Sequence, residues 1–111
     1  MNRLNGSIAE AKAILHFTEN GYDVFTPVTV NPKVDLVVIK DNVTSKVQVK
    51  SAITDTVNLR TSYTSSKKTV RTPFDGSLFD LLFVWHVPSD TYKVAETKNI
   101  TNIKSISYKS L

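Results

Sequence analysis

Residues 34–52 read VDLVVIKDNVTSKVQVKSA. Two apolar runs that alternate like strands carry Asp35 on one and Gln48 and Lys50 on the other. Strands this apolar normally lie in a core. A core strand admits a carboxylate, an amide and an ammonium only where these are paired or working. With the four residues Asp41 to Thr44 as the connection, Lys40 pairs with Ser45, which sets Asp35 opposite Lys50 and Val37 opposite Gln48. Side chains alternate faces along a strand. Asp35, Gln48 and Lys50 therefore share one face near the open end of the hairpin, and Val34, Leu36, Val38, Val47 and Val49 take the other. A slip of one residue would break this arrangement. Two chemistries fit: an exposed cross-strand Asp–Lys pair, which contributes little, or a working polar site.

A helix is expected to stand beside this hairpin. In residues 5–21, NGSIAEAKAILHFTENG, the positions Leu4, Ile8, Ala11, Ile14 and Leu15 fall on one arc at 100° per residue. Ser7 followed by Glu10 has the form of a capping box, and Gly21 is a good stop. Glu10 lies at the edge of the arc beside Ile14, so a helix packed on a sheet would hold it over the sheet's margin. Other strands are expected at 22–28, where Pro27 suggests an edge, at 78–87, apolar enough to be buried on both faces, and at 91–97. The segment 51–72 is rich in hydroxyls, and VNLRTSY within it could be a strand. In the tail, Ile100, Ile103 and Ile106 recur every third residue, but the Ser/Thr content does not favour a helix.

The 111 residues suit one domain, 1–111, with one core, and no repeat or linker divides them. An apolar content of 41% with 22% charged residues is an ordinary globular mixture and argues against disorder. No apolar run reaches the ~18–20 residues of a membrane span, and the polar start, MNRLNGSIAEAK, does not fit a secretion signal. Without cysteine there is no disulfide frame and no thiolate metal site. An intracellular, cytoplasmic protein is the expectation, and the NVT and NIT triplets at 42–44 and 99–101 are read as chance sequons. The net charge of +4 favours a polyanionic partner.

Four motifs in order carry a resemblance: GSIAEA at 6–11, GYDVFTP at 21–27, VDLVVIK at 34–40 with VQVK at 47–50, and FDGSLFDLLFVWHVPSDTYKV at 74–94. A Glu on a first helix, an Asp opening a hairpin strand, and then an acidic or amide residue, any residue and Lys form the signature of the PD-(D/E)XK nucleases. The chain looks closest to the small group I intron-associated homing endonucleases of that superfamily, over about residues 5–97. It resembles archaeal Holliday-junction resolvases more distantly. Val34 stands where the signature has proline, and Gln48 where it commonly has a carboxylate.

The resemblance implies an α/β, restriction-endonuclease-like core, a mixed β-sheet with the N-terminal helix packed across it. It implies a catalytic set of Glu10, Asp35, Gln48 and Lys50. Asp35 would bind a divalent cation, Mg²⁺ or a similar oxygen-seeking ion, helped by the Gln48 amide oxygen and the Val49 backbone carbonyl. Glu10 would hold metal-bound water or a second metal, a role in competition with a bond back to Ser7. Lys50 would position or deprotonate the attacking water and offset charge building on the phosphate.

Between Asp55 and Asp75 there is no acid, but Arg60, Lys67, Lys68 and Arg71 occur there with Ser62, Tyr63 and other hydroxyls. This is the candidate surface for double-stranded DNA, with phosphate contacts for affinity and a few side chains for base readout. His16, His86, Phe83 and Trp85 are read as structural. A subunit this small has one active site, so cutting both strands calls for a homodimer or homotetramer. Three functions stand: a site-specific, metal-dependent homing-type endonuclease, a junction resolvase with the same chemistry, and a DNA-binding module that kept the fold without catalysis.

Overall fold

A computed structural model describes residues 3–30, 32–65, 68–72, 74–98, 100 and 103–111, with only the backbone described for residues 3, 61–65 and 68–72. The chain opens with helix α1, Arg3–Glu19. It starts four residues earlier than Ser7, so the expected capping box does not form and Glu10 sits in a continuing helix, free of that bond. The helix ends as the sequence suggests. Gly21 adopts φ 83°, and the bonds Gly21 N–H to Thr18 O and Tyr22 N–H to Phe17 O close a Schellman cap.

The packed face of α1 also differs from the expected arc. Ala9, Ala13 and Phe17 are fully or almost fully buried, whereas Leu4 and Leu15 are 63% and 58% exposed. Two alanines four residues apart let the helix axis come close to the sheet, and Phe17 fills the space beyond them. Large apolar side chains on the expected arc would have held the helix farther off.

The sheet beneath has five strands: β1 (Asp23–Phe25), β2 (Leu36–Lys40), β3 (Val43–Ala52), β7 (Leu81–His86) and β8 (Thr91–Glu96), in the order β1-β2-β3-β7-β8. Only the β3–β7 pair is parallel. This is the expected mixed sheet with the N-terminal helix across it. β1 is an edge strand that stops before Pro27. β7 is buried along almost its whole length, because both faces are covered. On one face α1 packs against Leu36, Val38, Val47, Phe83 and Trp85. On the other, Ala52, Leu82 and Val84 meet Val57, Leu59, Phe74, Phe79, Ile100 and Tyr108.

The β2–β3 register departs from expectation by two residues. Lys40 pairs with Val43 and Leu36 with Val47, so the connection is the two-residue turn Asp41–Asn42. Both turn residues take positive φ, 52° and 64°, the backbone twist that tight hairpins favour and that Asp and Asn tolerate. Because the shift is even, no side chain changes face.

The stretch read as one strand, VNLRTSY, breaks at Leu59–Arg60 into β4 (Thr56–Asn58) and β5 (Thr61–Ser65). β5 pairs with β6 (Lys68–Thr72) as an antiparallel hairpin. β4 pairs with β9 (Ser105–Ser107), which gives the ambiguous tail its role: the C-terminal segment covers the second face of the sheet. Leu78, expected to open the strand 78–87, instead ends a 3₁₀ turn, Gly76–Leu78, capped by Asp75. The turn brings Gly76 against the backbone carbonyl oxygens of Ile100 and Thr97, with both of which any Cβ would clash. Among the described residues no helix is long and apolar enough to cross a membrane.

Candidate active site

Asp35 stands just before β2, where the β2–β3 pairing stops. Its backbone N–H donates to Val47 O at 3.1 Å. Its carboxylate Oδ2 accepts the Val49 N–H at 2.8 Å. The side chain thus takes the place of the missing strand residue and satisfies a β3 donor beyond the end of the β2–β3 ladder. Gln48 and Lys50 follow on β3, in register with Leu82 and Val84 of β7. Both point to the face away from α1. Gln48 is 9% exposed.

Electrostatics tie these groups together. Burial raises the Asp35 pKa above the ordinary carboxylate value, against the opposing pull of the Val49 N–H and the Lys50 charge. Burial lowers the Lys50 pKa, and the Asp35 charge works against that. Glu10, reaching in from α1, is raised by burial and then by the like charge of Asp35. Asp35 therefore interacts with Glu10 on one side and Lys50 on the other. None of the three belongs to a contact ion pair among the described residues. The ammonium of Lys50 donates instead to the Arg60 carbonyl oxygen at 3.2 Å.

Glu10, Asp35 and Lys50 are thus brought into one electrostatically coupled group. Gln48 is next to them on β3 and makes no side-chain hydrogen bond among the described residues. The donor set is all oxygen: two carboxylates whose charge the site disfavours and one buried amide. A hard divalent cation fits such a set, because it would relieve the repulsion between Glu10 and Asp35. No group of three or more His, Cys, Asp or Glu comes together among the described residues, so the amide of Gln48 carries weight in the set.

The basic candidates fall around the β5–β6 hairpin. Arg60 immediately precedes β5, Ser62 and Tyr63 lie on β5, and Lys68 and Arg71 lie on β6, with Arg71 paired to Ser62 and Lys68 to Ser65. Lys67 lies outside the described residues. A two-stranded antiparallel ribbon is an element that enters the major groove of B-DNA. Through the Arg60 carbonyl, the root of this ribbon touches Lys50. Sequence reading missed Asn58, whose Oδ1 accepts the Arg60 N–H at 3.0 Å. The signal was present, since Asn favours bonding the backbone two residues on.

The histidines take up other bonds. His86 Nε2 donates to Asp55 Oδ1 at 3.0 Å, its Nδ1 lies 2.6 Å from Ser89 Oγ, and its ring stacks on Tyr108. His16 Nδ1 is 3.1 Å from the Tyr92 hydroxyl. Phe83 is fully buried, and Trp85 is buried with its Nε1–H on Asp90 Oδ1 at 2.9 Å.

The fold has counterparts among known proteins. A PD-(D/E)XK endonuclease family model matches residues 1–108. The fold is similar to that of a bacterial homing endonuclease, I-Ssp6803I, with a TM-score of 0.78 and 26% identity over 96% of this chain and 76% of that one. Protein 5.3 of Escherichia phage T7 is 46% identical over 55 residues, which cover 50% of this chain and 47% of the phage protein. The chain thus spans about half the length of that phage relative. With the family model extending over almost the whole sequence, the chain belongs to the PD-(D/E)XK endonuclease family.

Proposed function

We propose that this protein is a metal-dependent, site-specific endonuclease of the homing type that hydrolyses phosphodiester bonds in double-stranded DNA. The observation that carries the reading is the gathering of Gln48 and Lys50 on one face of β3 beside Asp35, whose carboxylate accepts the Val49 N–H and acts electrostatically on both Lys50 and Glu10. A structural Asp–Lys pair would close to contact distance, and this one is not among the ion pairs of the described residues. The likeness to a bacterial homing endonuclease supports the homing type.

Asp35, Glu10, the Gln48 amide oxygen and the Val49 carbonyl would hold the cation, Mg²⁺ being the first candidate. When bound, such an ion supplies Lewis-acid stabilisation of the phosphate and lowers the pKa of a bound water. The chain's own groups do the rest. Asp35, anchored by the Val49 N–H, keeps one oxygen turned to the cleft. Lys50 orients the attacking water and offsets the charge that grows on the phosphate, an interaction stronger in the transition state than in the ground state. Its lowered pKa makes it a better proton acceptor than an exposed lysine.

Arg60, Ser62, Tyr63, Lys67, Lys68 and Arg71 serve as the DNA-binding surface, with the β5–β6 ribbon laid along a groove. One active site per subunit calls for two or four copies related by symmetry, so that both strands are cut. The test is incubation of a complex double-stranded DNA library with the protein and Mg²⁺, followed by sequencing of the cut ends. Recovery of one shared site supports the reading. Ends scattered at random, or cuts confined to four-way junctions, would refute it.

A further inference from the structure

Lys50 has a flexible four-carbon stem and three rotatable donors, and holding such a side chain in one geometry costs up to ~2 kcal/mol of rotamer entropy. Something must fix its head. Asp35 acts on it through space without an ion-pair contact, and the one hydrogen bond of its ammonium among the described residues goes to the Arg60 carbonyl at 3.2 Å. The position of that carbonyl therefore sets the position of the amine.

Arg60 sits between two paired segments. Upstream, Val57 and Leu59 are fully buried. Val57 pairs with Ile106 of β9, and the Leu59 N–H donates to Lys104 O at 3.0 Å. Between them Asn58 points outward, and its side-chain oxygen accepts the Arg60 N–H at 3.0 Å. Downstream, Thr61 begins the β5–β6 hairpin. The turn at residues 58–60 is thus the joint between the core-anchored β4 and the ribbon, and the Asn58 side chain closes it. An Asn that ties the backbone two residues ahead imposes a defined local turn. By fixing the peptide plane that carries the Arg60 N–H, it limits the backbone torsions that aim the Arg60 carbonyl in the next plane.

We infer that Asn58 is a positioning residue for Lys50: by bonding the Arg60 N–H it fixes the Arg60 carbonyl against the lysine's ammonium. The inference rests on the proposed active site, since it matters for cleavage only if Lys50 is catalytic. It also gives Arg60 two tasks. Its side chain, exposed and with no ion-pair partner among the described residues, is offered to DNA, and its main chain holds the catalytic lysine. Loading of the ribbon is in this way transmitted to the active site through a single residue.

The experiment compares wild type, Asn58→Ala, Asn58→Asp and Lys50→Ala. Aspartate keeps the side-chain oxygen acceptor and alanine removes it. Lysine acetylation by an amine-reactive acetylating reagent, read by mass spectrometry, reports the freedom of the Lys50 amine. Single-turnover cleavage of a plasmid carrying a site recovered from the library reports chemistry at saturating protein. For Asn58→Ala the expected result is a several-fold rise in Lys50 acetylation relative to Lys46 and Lys93. Cleavage is expected to slow by about ten-fold, within the range a misplaced catalytic group costs, with DNA affinity within about two-fold and an unchanged melting temperature. Asn58→Asp should restore both readouts. An unchanged Lys50 acetylation rate in Asn58→Ala overturns the inference whatever happens to cleavage. So does altered acetylation with wild-type cleavage when Lys50→Ala itself no longer cuts, or a failure of Asp to rescue. If Lys50→Ala cuts at the wild-type rate, the active-site reading falls instead, and the acetylation comparison still decides whether Asn58 holds Lys50.

Discussion

Two polar clusters stand on the same face of the same two strands. Gln48 and Lys50 lie opposite Leu82 and Val84, and the next pair along, Ala52 and His86, opens the second cluster. In that second cluster every group is bonded. Asp55, His86, Ser89, Thr91 and Tyr108 form one chain with heavy-atom distances of 2.6–3.0 Å, and Lys93 closes it on the Tyr108 carbonyl at 2.9 Å. The first cluster is different. Its carboxylates are pushed up, its lysine is pushed down, and its amide has no partner among the described residues. A hydrogen-bonded network fixes a structure, whereas partly buried charges without a contact ion pair raise its free energy. The same sheet thus carries one cluster that holds the C-terminal segment and one whose charges are held against the pull of burial.

The largest expected effect separates the two clusters directly. Lys50→Ala and Asp35→Asn should each lower cleavage by about a thousand-fold or more, the scale of losing a transition-state charge partner. Folding should survive in both, and DNA binding nearly so for Lys50→Ala, because one lysine among many phosphate contacts contributes little to affinity. Cleavage assays on folded, purified variants decide it. Wild-type rates in both would reduce the hairpin's polar face to surface.

His86→Ala should do the reverse. It leaves Ser89 without its ring partner and removes the stacking on Tyr108. A loss of about 1–3 kcal/mol in denaturant unfolding is expected, with cleavage per folded molecule unchanged. A large fall in cleavage at full stability would put His86 in the chemistry and erase the contrast.

Gln48→Glu sharpens the comparison from inside the first cluster. A third carboxylate restores the donor common in the superfamily, so Mg²⁺ affinity should tighten by about ten-fold, ~1.4 kcal/mol, with activity at least partly kept. Calorimetric titration with Mg²⁺ checks it. Unchanged affinity would place Gln48 outside the metal shell.

The first cluster was legible because alternation fixes which face a residue takes, and parity survived an error in register. The four-residue connection was misjudged since Val43 and Thr44 read as a polar loop. The physical signal lay in Asp41–Asn42, a pair suited to positive φ. The helix arc misled for a related reason. Hydrophobicity ranked Leu4 and Leu15 as core, but a helix close to a sheet selects small residues, and Ala9 and Ala13 won. What joins β4 to β9, or the Asn58 turn to Lys50, depends on pairings across some 50 residues for the first and on one side-chain bond for the second. Local periodicity carries neither.

The smallest effect is in the pH dependence of stability without metal. In the unfolded chain Asp and Glu titrate near 3.9 and 4.3. Asp35 and Glu10 are raised above these values in the fold, mainly by burial. Between the unfolded and folded values the folded state holds protons that the unfolded state has released, so these two groups make stability fall as pH rises. Lys50, lowered by burial, has the opposite slope: stability is regained only as pH rises above its folded value toward the ~10.4 of an unfolded lysine. At neutral pH both penalties are present together. Asp75 and Asp90, lowered by their hydrogen bonds to Ser77 and Trp85, contribute in the usual direction, so the whole-protein curve mixes signs. The difference between wild type and Asp35→Asn removes that mixture, because Asp75 and Asp90 are common to both. Asparagine keeps an acceptor for the Val49 N–H and cannot titrate. The stability of Asp35→Asn relative to wild type should therefore rise from pH 4 towards neutrality, and Mg²⁺ should cancel the rise in favour of the wild type. A difference curve that is flat across the acid range, with and without Mg²⁺, would mean that Asp35 is not held at a cost and the first cluster is no more strained than the second.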